Sequence, residues 1–343
     1  MSTAIPEMMQ AVQLEQDGGP VTVGRVAVPR PGPGQVLVRM AASPINPSDL
    51  GFIAGGYGPA RTYPVIPGIE GSGTVAAAGP GLLPRWLVGR RVACARSSAS
   101  NGTWAEFMLT RASICVPLQK NVSLEQGAML VVNPMTALVF LDLIKRGRHA
   151  AVVNTAAASQ LGRMLVRLTA KQDIPLINIV RRREQAGLLE SLGARHVLVS
   201  SEPEFDTQLR DLAQRLKATL VLDAVAGDFT QRLIDAAPPE SLILLYSNLA
   251  RAPASITPHS LWDAGKRVEG FYLAAWAAKQ NILKILMLAR RVQQLAGTDL
   301  GSEISQRLPL SSAPDALDAY QKNMTGGKIM FEINPGDLAS DRR

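Results

Sequence analysis

Cysteine is nearly absent: Cys94 and Cys115 are the two in 343 residues. A disulfide framework and a Cys-rich zinc module both need more thiols than that. Histidine is almost as scarce. His149, His196 and His259 fall in no HxxxH or HExxH pattern, so the sequence makes no case for a zinc site and no metal is expected. Aromatic residues form 5% of the chain and are not interleaved with the basic ones. The stacking platforms of a nucleic-acid binder are therefore missing, despite a net charge of +8. No apolar run reaches the length of a transmembrane helix. The N-terminal "MSTAIPEMMQAVQLEQDGG" has neither a basic n-region nor an apolar h-region. The expectation is a cytoplasmic protein with no membrane or nucleic-acid partner, whose positive charge suits ligands that carry phosphates.

Hydrophobic residues are plentiful at 47%, and the length favours two domains over one. Three textures follow one another. Residues 1–125 hold short β-rich runs broken by Gly and Pro, such as "VTVGRVAVP", "GQVLVRMAAS" and "GSGTVAAAG", which read as a β-barrel-type unit. Over 126–257, near-continuous Val/Ile/Leu runs alternate with amphipathic helices: "AAVVNTA", "IPLINIV", "HVLVS", "ATLVLDAV" and "SLILLYS" are the strands. Apolar strands between helices predict a parallel sheet covered on both faces, a doubly wound α/β unit. Residues 258–343 return to mixed structure with a Leu/Ala-rich helix and a strand "KIMFEIN", and "PGDLASDRR" is expected to be a disordered tail.

The first βα turn of a doubly wound sheet holds a dinucleotide pyrophosphate on backbone N–H groups. Here that turn is "NTAAASQLG", in which Ala157 and Ser159 stand near positions where glycines would be usual and Gly162 remains. Ser159 is suited to cap the helix and to offer a hydroxyl to phosphate. An ordinary capped turn would look the same. At the end of the second strand, an NAD site places an Asp or Glu on the ribose 2′-OH. This chain places Arg181, Arg182 and Arg183 there. Guanidinium groups bind a 2′-phosphate bidentately, so NADPH is expected over NADH.

A further stretch, "INPSDLGFIAGGYG" (residues 45–58), holds Asn46, Asp49 and Tyr57. Asn46 and Asp49 read as organisers of their own turn. Gly55, Gly56 and Gly58 would let the backbone around Tyr57 approach a ligand closely, although loop packing is the plain alternative.

Together with "PGPGQVLVRM", "YPVIPGIEGSGTVAAAGPG", "VNPMTALVF", "LESLGARHVL" and "GGKIMFEI", these stretches resemble the medium-chain dehydrogenase/reductase superfamily over almost the whole chain. The resemblance implies a GroES-like β-barrel-type catalytic domain built from both chain ends, with a doubly wound Rossmann domain between them. Zinc-dependent members have a cysteine where this chain has Asn46 and a His-Glu pair where it has Ile69 and Glu70. The chain is therefore similar to the zinc-free branch, the quinone oxidoreductases and the enoyl thioester reductases, and most to the mitochondrial-type enoyl reductases. That similarity implies an active-site tyrosine at Tyr57. It implies NADPH contacts at Asn133, Thr136, Ser159, Gln160, Leu161 and Gly162, and at the three arginines. Further contacts are implied at Tyr246, Ser247, Asn248, Leu249, Phe271, Tyr272, Leu273 and Lys328. Asn46 would lie near the nicotinamide, and Trp276 would either wall an acyl pocket or pack in the core. A homodimer formed by edge-to-edge extension of the Rossmann sheet is also implied, with "SLILLYS" and the residues after it supplying the edge.

Lacking ligands for a Lewis-acid metal, such a chain is suited to conjugated acceptors, where added charge delocalises into a carbonyl. The expectation is NADPH-dependent reduction of an enone or enoyl thioester, with hydride delivered to the β-carbon and a proton from Tyr57. Quinone reduction is the alternative. A nucleotide-binding protein without catalysis is a further one, suggested by the depleted glycine loop.

Overall fold

A computed structural model of the chain describes residues 5–56, 61–97 and 101–341. The chain divides into two compact units: Met1–Asn133 with Ala289–Arg343, and Pro134–Leu288.

The strands of the first unit are β1 (Met8–Leu14), β2 (Val21–Ala27), β3 (Gln35–Pro44), β4 (Glu70–Ala78), β5 (Arg91–Ala95), β6 (Phe107–Arg111) and β7 (Val116–Pro117). The second unit holds β8 (Val152–Asn154), β9 (Leu176–Val180), β10 (His196–Val199), β11 (Leu220–Asp223), β12 (Leu242–Leu245) and β13 (Arg267–Gly270). The chain then returns to the first unit with β14 (Ile304–Pro309) and β15 (Lys328–Glu332).

In the first unit β1 and β2 form a ribbon, and the large sheet runs β14-β15-β3-β4-β5-β7 with β6 also on β3. β3 is the hub. Its first half pairs antiparallel with β4 and β6, and Ala42–Pro44 pairs with β15 from the other end of the chain. One core cluster joins those two ends, with Val12, Ile45, Phe52 and Trp104 packed with Tyr320 and Phe331. Trp104 meets Phe331 edge-on at 5.3 Å. The C-terminal residues expected to be a disordered tail form a helix instead, Pro335–Asp341. Pro335 and Asp337 suit the first turn of a helix, where the missing N–H costs nothing and the acid meets the positive end of the dipole. Leu338 buries against Ala41 and Leu124, Asp337 pairs with Arg39 at 3.1 Å, and Asp341 pairs with Arg91.

The second unit is a parallel sheet in the order β10-β9-β8-β11-β12-β13. Every residue of β8, β9 and β11 is buried, as apolar strands covered on both faces must be. The order reverses between β8 and β11, the place where such sheets open a crevice at their carboxyl ends. The unit runs to Leu288, past the boundary at residue 257 that sequence texture suggested, because β13 pairs in register with β12. β13 is short and largely exposed ("RVEG"), so it lacks the apolar signal of its neighbours. It is one edge of the sheet, β10 being the other; of the stretch expected to supply an edge, "SLILLYS" forms β12, one strand in, and β13 lies in the residues after it. Among the described residues, no helix is long and apolar enough to cross a membrane.

Candidate active site

The turn after β8 runs Thr155 to Ser159 and feeds the helix Gln160–Ala170. Ser159 caps that helix, its Oγ accepting the Gly162 N–H at 3.1 Å. Ala156 sits at φ 47°, the left-handed region that normally selects glycine, so the turn keeps its shape with a methyl where a hydrogen would be less strained. Gly162 cannot be replaced as easily: a Cβ there would overlap the Ala157 carbonyl. Gln160 and Leu161 are buried in the first turn. Arg163, which the sequence reading did not single out, is buried, and its Nε–H donates to the Ala158 carbonyl at 2.8 Å. Beside the turn, the Thr155 hydroxyl accepts the Ala224 N–H at 2.8 Å and so ties the carboxyl ends of β8 and β11 together. Asp223 lies at the end of β11, with Oδ1 accepting from Val225 N–H at 2.8 Å and Oδ2 from the Thr230 hydroxyl at 2.7 Å.

The three arginines follow β9 directly and are exposed. The Gln185 carboxamide accepts the backbone N–H groups of Arg181 and Arg182 at 3.2 Å each, which holds the start of the next helix without using either guanidinium. Arg183 forms an ion pair with Glu202. The cation cluster is thus divided between two exposed guanidinium groups on an ordered turn and a third that is paired.

Tyr246 and Phe271 are brought together through Phe140, whose ring lies 5.1 Å from the first and 4.9 Å from the second. Thr136 is buried one turn before Phe140 on the helix Val132–Arg146. The backbone of Tyr246 and Leu249 bonds to Asp223 and Ala224, so residues 246–249 run beside the carboxyl end of β11, with Ser247 and Asn248 between. Tyr272 is exposed and Leu273 opens the next short helix. Trp276 on that helix is half-buried, with the Lys284 ammonium 5.0 Å from its ring and that lysine paired with Asp142 at 3.2 Å.

In the first unit the opening loop becomes the helix Pro47–Ile53, with Asn46 at its N-cap. Asp49 reaches back, its Oδ2 accepting the Asn46 N–H at 2.7 Å. The Asn46 side chain turns away from the helix. Its Nδ2 donates to Glu70 Oε1 at 3.0 Å, and its Oδ1 accepts from the Lys328 ammonium. Glu70 Oε2 accepts the Val131 and Val132 N–H groups at 3.0 and 2.8 Å, a carboxylate on the N-terminus of the helix that includes Asn133. Asn46, Asp49, Glu70 and Lys328 are all buried. Burial pushes the Asp49 carboxyl up to about 7, against the pull of the Asn46 N–H and the Lys328 charge. Burial also raises Glu70 and lowers Lys328, each opposed by the other's charge. Lys328 and Asn46, both expected near the cofactor, are joined to each other inside this unit. Tyr57 lies outside the described residues.

The model for the alcohol dehydrogenase GroES-like domain matches residues 32–120. A solved structure from Mesorhizobium loti, provisionally named an NADPH:quinone reductase, is 33% identical, covers 96% of this chain and 100% of its own, and superposes with a TM-score of 0.90. The chain belongs to the zinc-independent branch of the medium-chain dehydrogenase/reductase superfamily. Its first unit is the GroES-like domain and its second the Rossmann domain of that superfamily. Other similar members include the Pseudomonas syringae pv. Tomato DC3000 quinone oxidoreductase, 25% identical over 94% of this chain and 99% of that one, with a TM-score of 0.84. The human mitochondrial enoyl-[acyl-carrier-protein] reductase is 28% identical over 87% of this chain and 81% of its own length.

Proposed function

We propose that the chain is an NADPH-dependent reductase of a double bond conjugated to a carbonyl, with a quinone as the favoured acceptor. The observation behind it is the pair of exposed guanidinium groups, Arg181 and Arg182, beside a capped helix N-terminus at the carboxyl edge of a parallel sheet. That donor set suits a dinucleotide bearing a 2′-phosphate: helix N–H groups for the pyrophosphate and planar forks for the extra phosphate. Ser159 to Gly162 would hold the first, and Arg181 and Arg182 the second. Thr136, Tyr246 and Phe271 would flank the nicotinamide half, with Asn133, Ser247, Asn248 and Leu249 near it. When bound, NADPH supplies a hydride to the electron-poor end of the conjugated system. Tyr57 would donate the matching proton.

The quinone preference draws on the similarity to reductases named for quinones. A second reading, an enoyl thioester as acceptor, draws on the similarity to the mitochondrial enoyl reductase. A homodimer goes with either reading, and the exposed edge strand β13 is where its sheets would join.

NADPH fluorescence on titration, followed by turnover of 1,4-benzoquinone against crotonyl-CoA, tests the proposal. Saturable binding with quinone turnover at least tenfold faster is expected. Faster turnover of crotonyl-CoA, with a large loss in Tyr57→Phe, would transfer the assignment to the enoyl reading. Absence of binding at micromolar NADPH would leave a protein without this activity.

A further inference from the structure

The Lys328 ammonium is the one cation in a buried group that also contains two carboxylates and an amide. We propose that Asn46, Asp49 and Glu70 form a cation cage that accepts a primary ammonium, and that the chain fills it with its own Lys328.

Every side-chain polar atom of the cage but one has a hydrogen-bond partner. Glu70 Oε1 takes the Asn46 Nδ2–H, which leaves the amide oxygen of Asn46 turned to the ammonium. Glu70 Oε2 is occupied by two backbone N–H groups. Asp49 Oδ2 takes the Asn46 N–H, and Asp49 Oδ1 is buried with no hydrogen-bond partner. A buried carboxylate oxygen left without a donor is costly, and the Lys328 charge acts against that cost, pulling the Asp49 carboxyl down.

The way Lys328 enters is equally specific. It is the first residue of β15 and follows Gly327, whose φ of 116° is open to glycine and whose missing side chain leaves room for Ser305. The donor set is one neutral amide oxygen with carboxylates acting around it. Among the described residues, no group of three His, Cys, Asp or Glu side chains is placed to hold a metal ion. A compact point charge on a flexible stem fits that set. This role is additional to the cofactor contact that the resemblance implies for Lys328. The inference does not depend on the reductase reading, because its readout is stability.

Lys328→Ala removes the atoms of a propylammonium ion. The variant is expected to melt about 10 °C below the parent. Adding n-propylammonium chloride is expected to restore most of that loss saturably at millimolar concentration, whereas equal sodium chloride or n-propanol is not. An unchanged melting temperature, absence of rescue, or equal rescue by sodium chloride would each overturn the proposal. Should Lys328→Ala fail to fold, Lys328→Met is compared with the double variant Lys328→Met, Glu70→Gln. The cage predicts that the double variant melts several degrees above the single one, since one uncompensated charge has gone. A double variant that melts no higher than the single one overturns it.

Discussion

Each unit buries a polar cluster, and the two are built on opposite plans. In the Rossmann unit, Asp223 is satisfied by neutral donors close in sequence, the N–H groups of Val225 and Ala226 and the hydroxyl of Thr230. Nearby, Asn154 donates to Asn178 at 3.1 Å across adjacent strands. In the GroES-like unit, two buried carboxylates look to one ammonium 282 residues from the Asn46 it bonds. The local cluster shapes a turn and survives any rearrangement that leaves that turn intact. The distant one exists only when both ends of the chain are docked. Here the charged cluster reports the docking of the two chain ends, and the Asp223 bonds to Val225, Ala226 and Thr230 report the geometry of one turn.

Removing the cation is the hardest test of that contrast. Lys328→Met is expected to cost about 3–5 kcal/mol in urea unfolding, because it leaves buried carboxylates unpaired. Hydrogen exchange should show the loss in β3, β4 and β15 and leave β8 and β9 protected. Loss spread evenly over both sheets would dissolve the distinction.

The pH response comes next. Asp49 is raised from 3.8 to about 7 in the folded state, so between those values the folded chain holds a proton that the unfolded chain has released. Stability of the GroES-like unit should therefore fall as pH rises from about 4 to about 7 and level off above that. The groups acting on Asp49 are the Asn46 and Ile69 backbones, Lys328 and Glu70, and its own charge acts in turn on Tyr320. Asp49→Asn should flatten the slope and raise the melting temperature at pH 8 more than at pH 5. A slope that persists in the variant would assign it to another group.

On the other side of the comparison, Asp223→Ala strands the Thr230 hydroxyl and two N–H groups, and should cost about 2 kcal/mol confined to the Rossmann unit. Ser159→Ala removes a single cap and should cost about 1 kcal/mol in the same unit. Its KM for NADPH should rise by less than that of the paired variant Arg181→Ala, Arg182→Ala, measured by steady-state kinetics with NADPH against NADH.

The contrast also explains what the sequence made legible. The Rossmann strands were readable because each is an apolar run between helices, and the Asn46–Asp49 turn because its partners are three residues apart. β13 was not, since an exposed four-residue edge strand has neither period nor apolar content to show. The C-terminal helix was missed because its few apolar side chains find their partners in strands near the other end of the chain. Nothing local to "GGKIMFEI" reveals that the Lys328 ammonium bonds Asn46, 282 residues away. Arg163 is similar: its burial follows from packing against the Ala158 turn, which no helical periodicity states.

The pairing of β15 with β3 has a consequence for how the protein is made. The Rossmann unit is one unbroken stretch, 134–288, whereas the sheet of the other unit is completed by strands that leave the ribosome last. At ribosomal speeds of about 5–20 residues per second, Asn46 and Glu70 wait on the order of half a minute for their lysine. The order of synthesis and the order of stabilisation are thus inverted. The half of the GroES-like unit translated first is the last to be secured, and a ribosome stalled before codon 328 releases a chain with a finished Rossmann unit beside an unneutralised one.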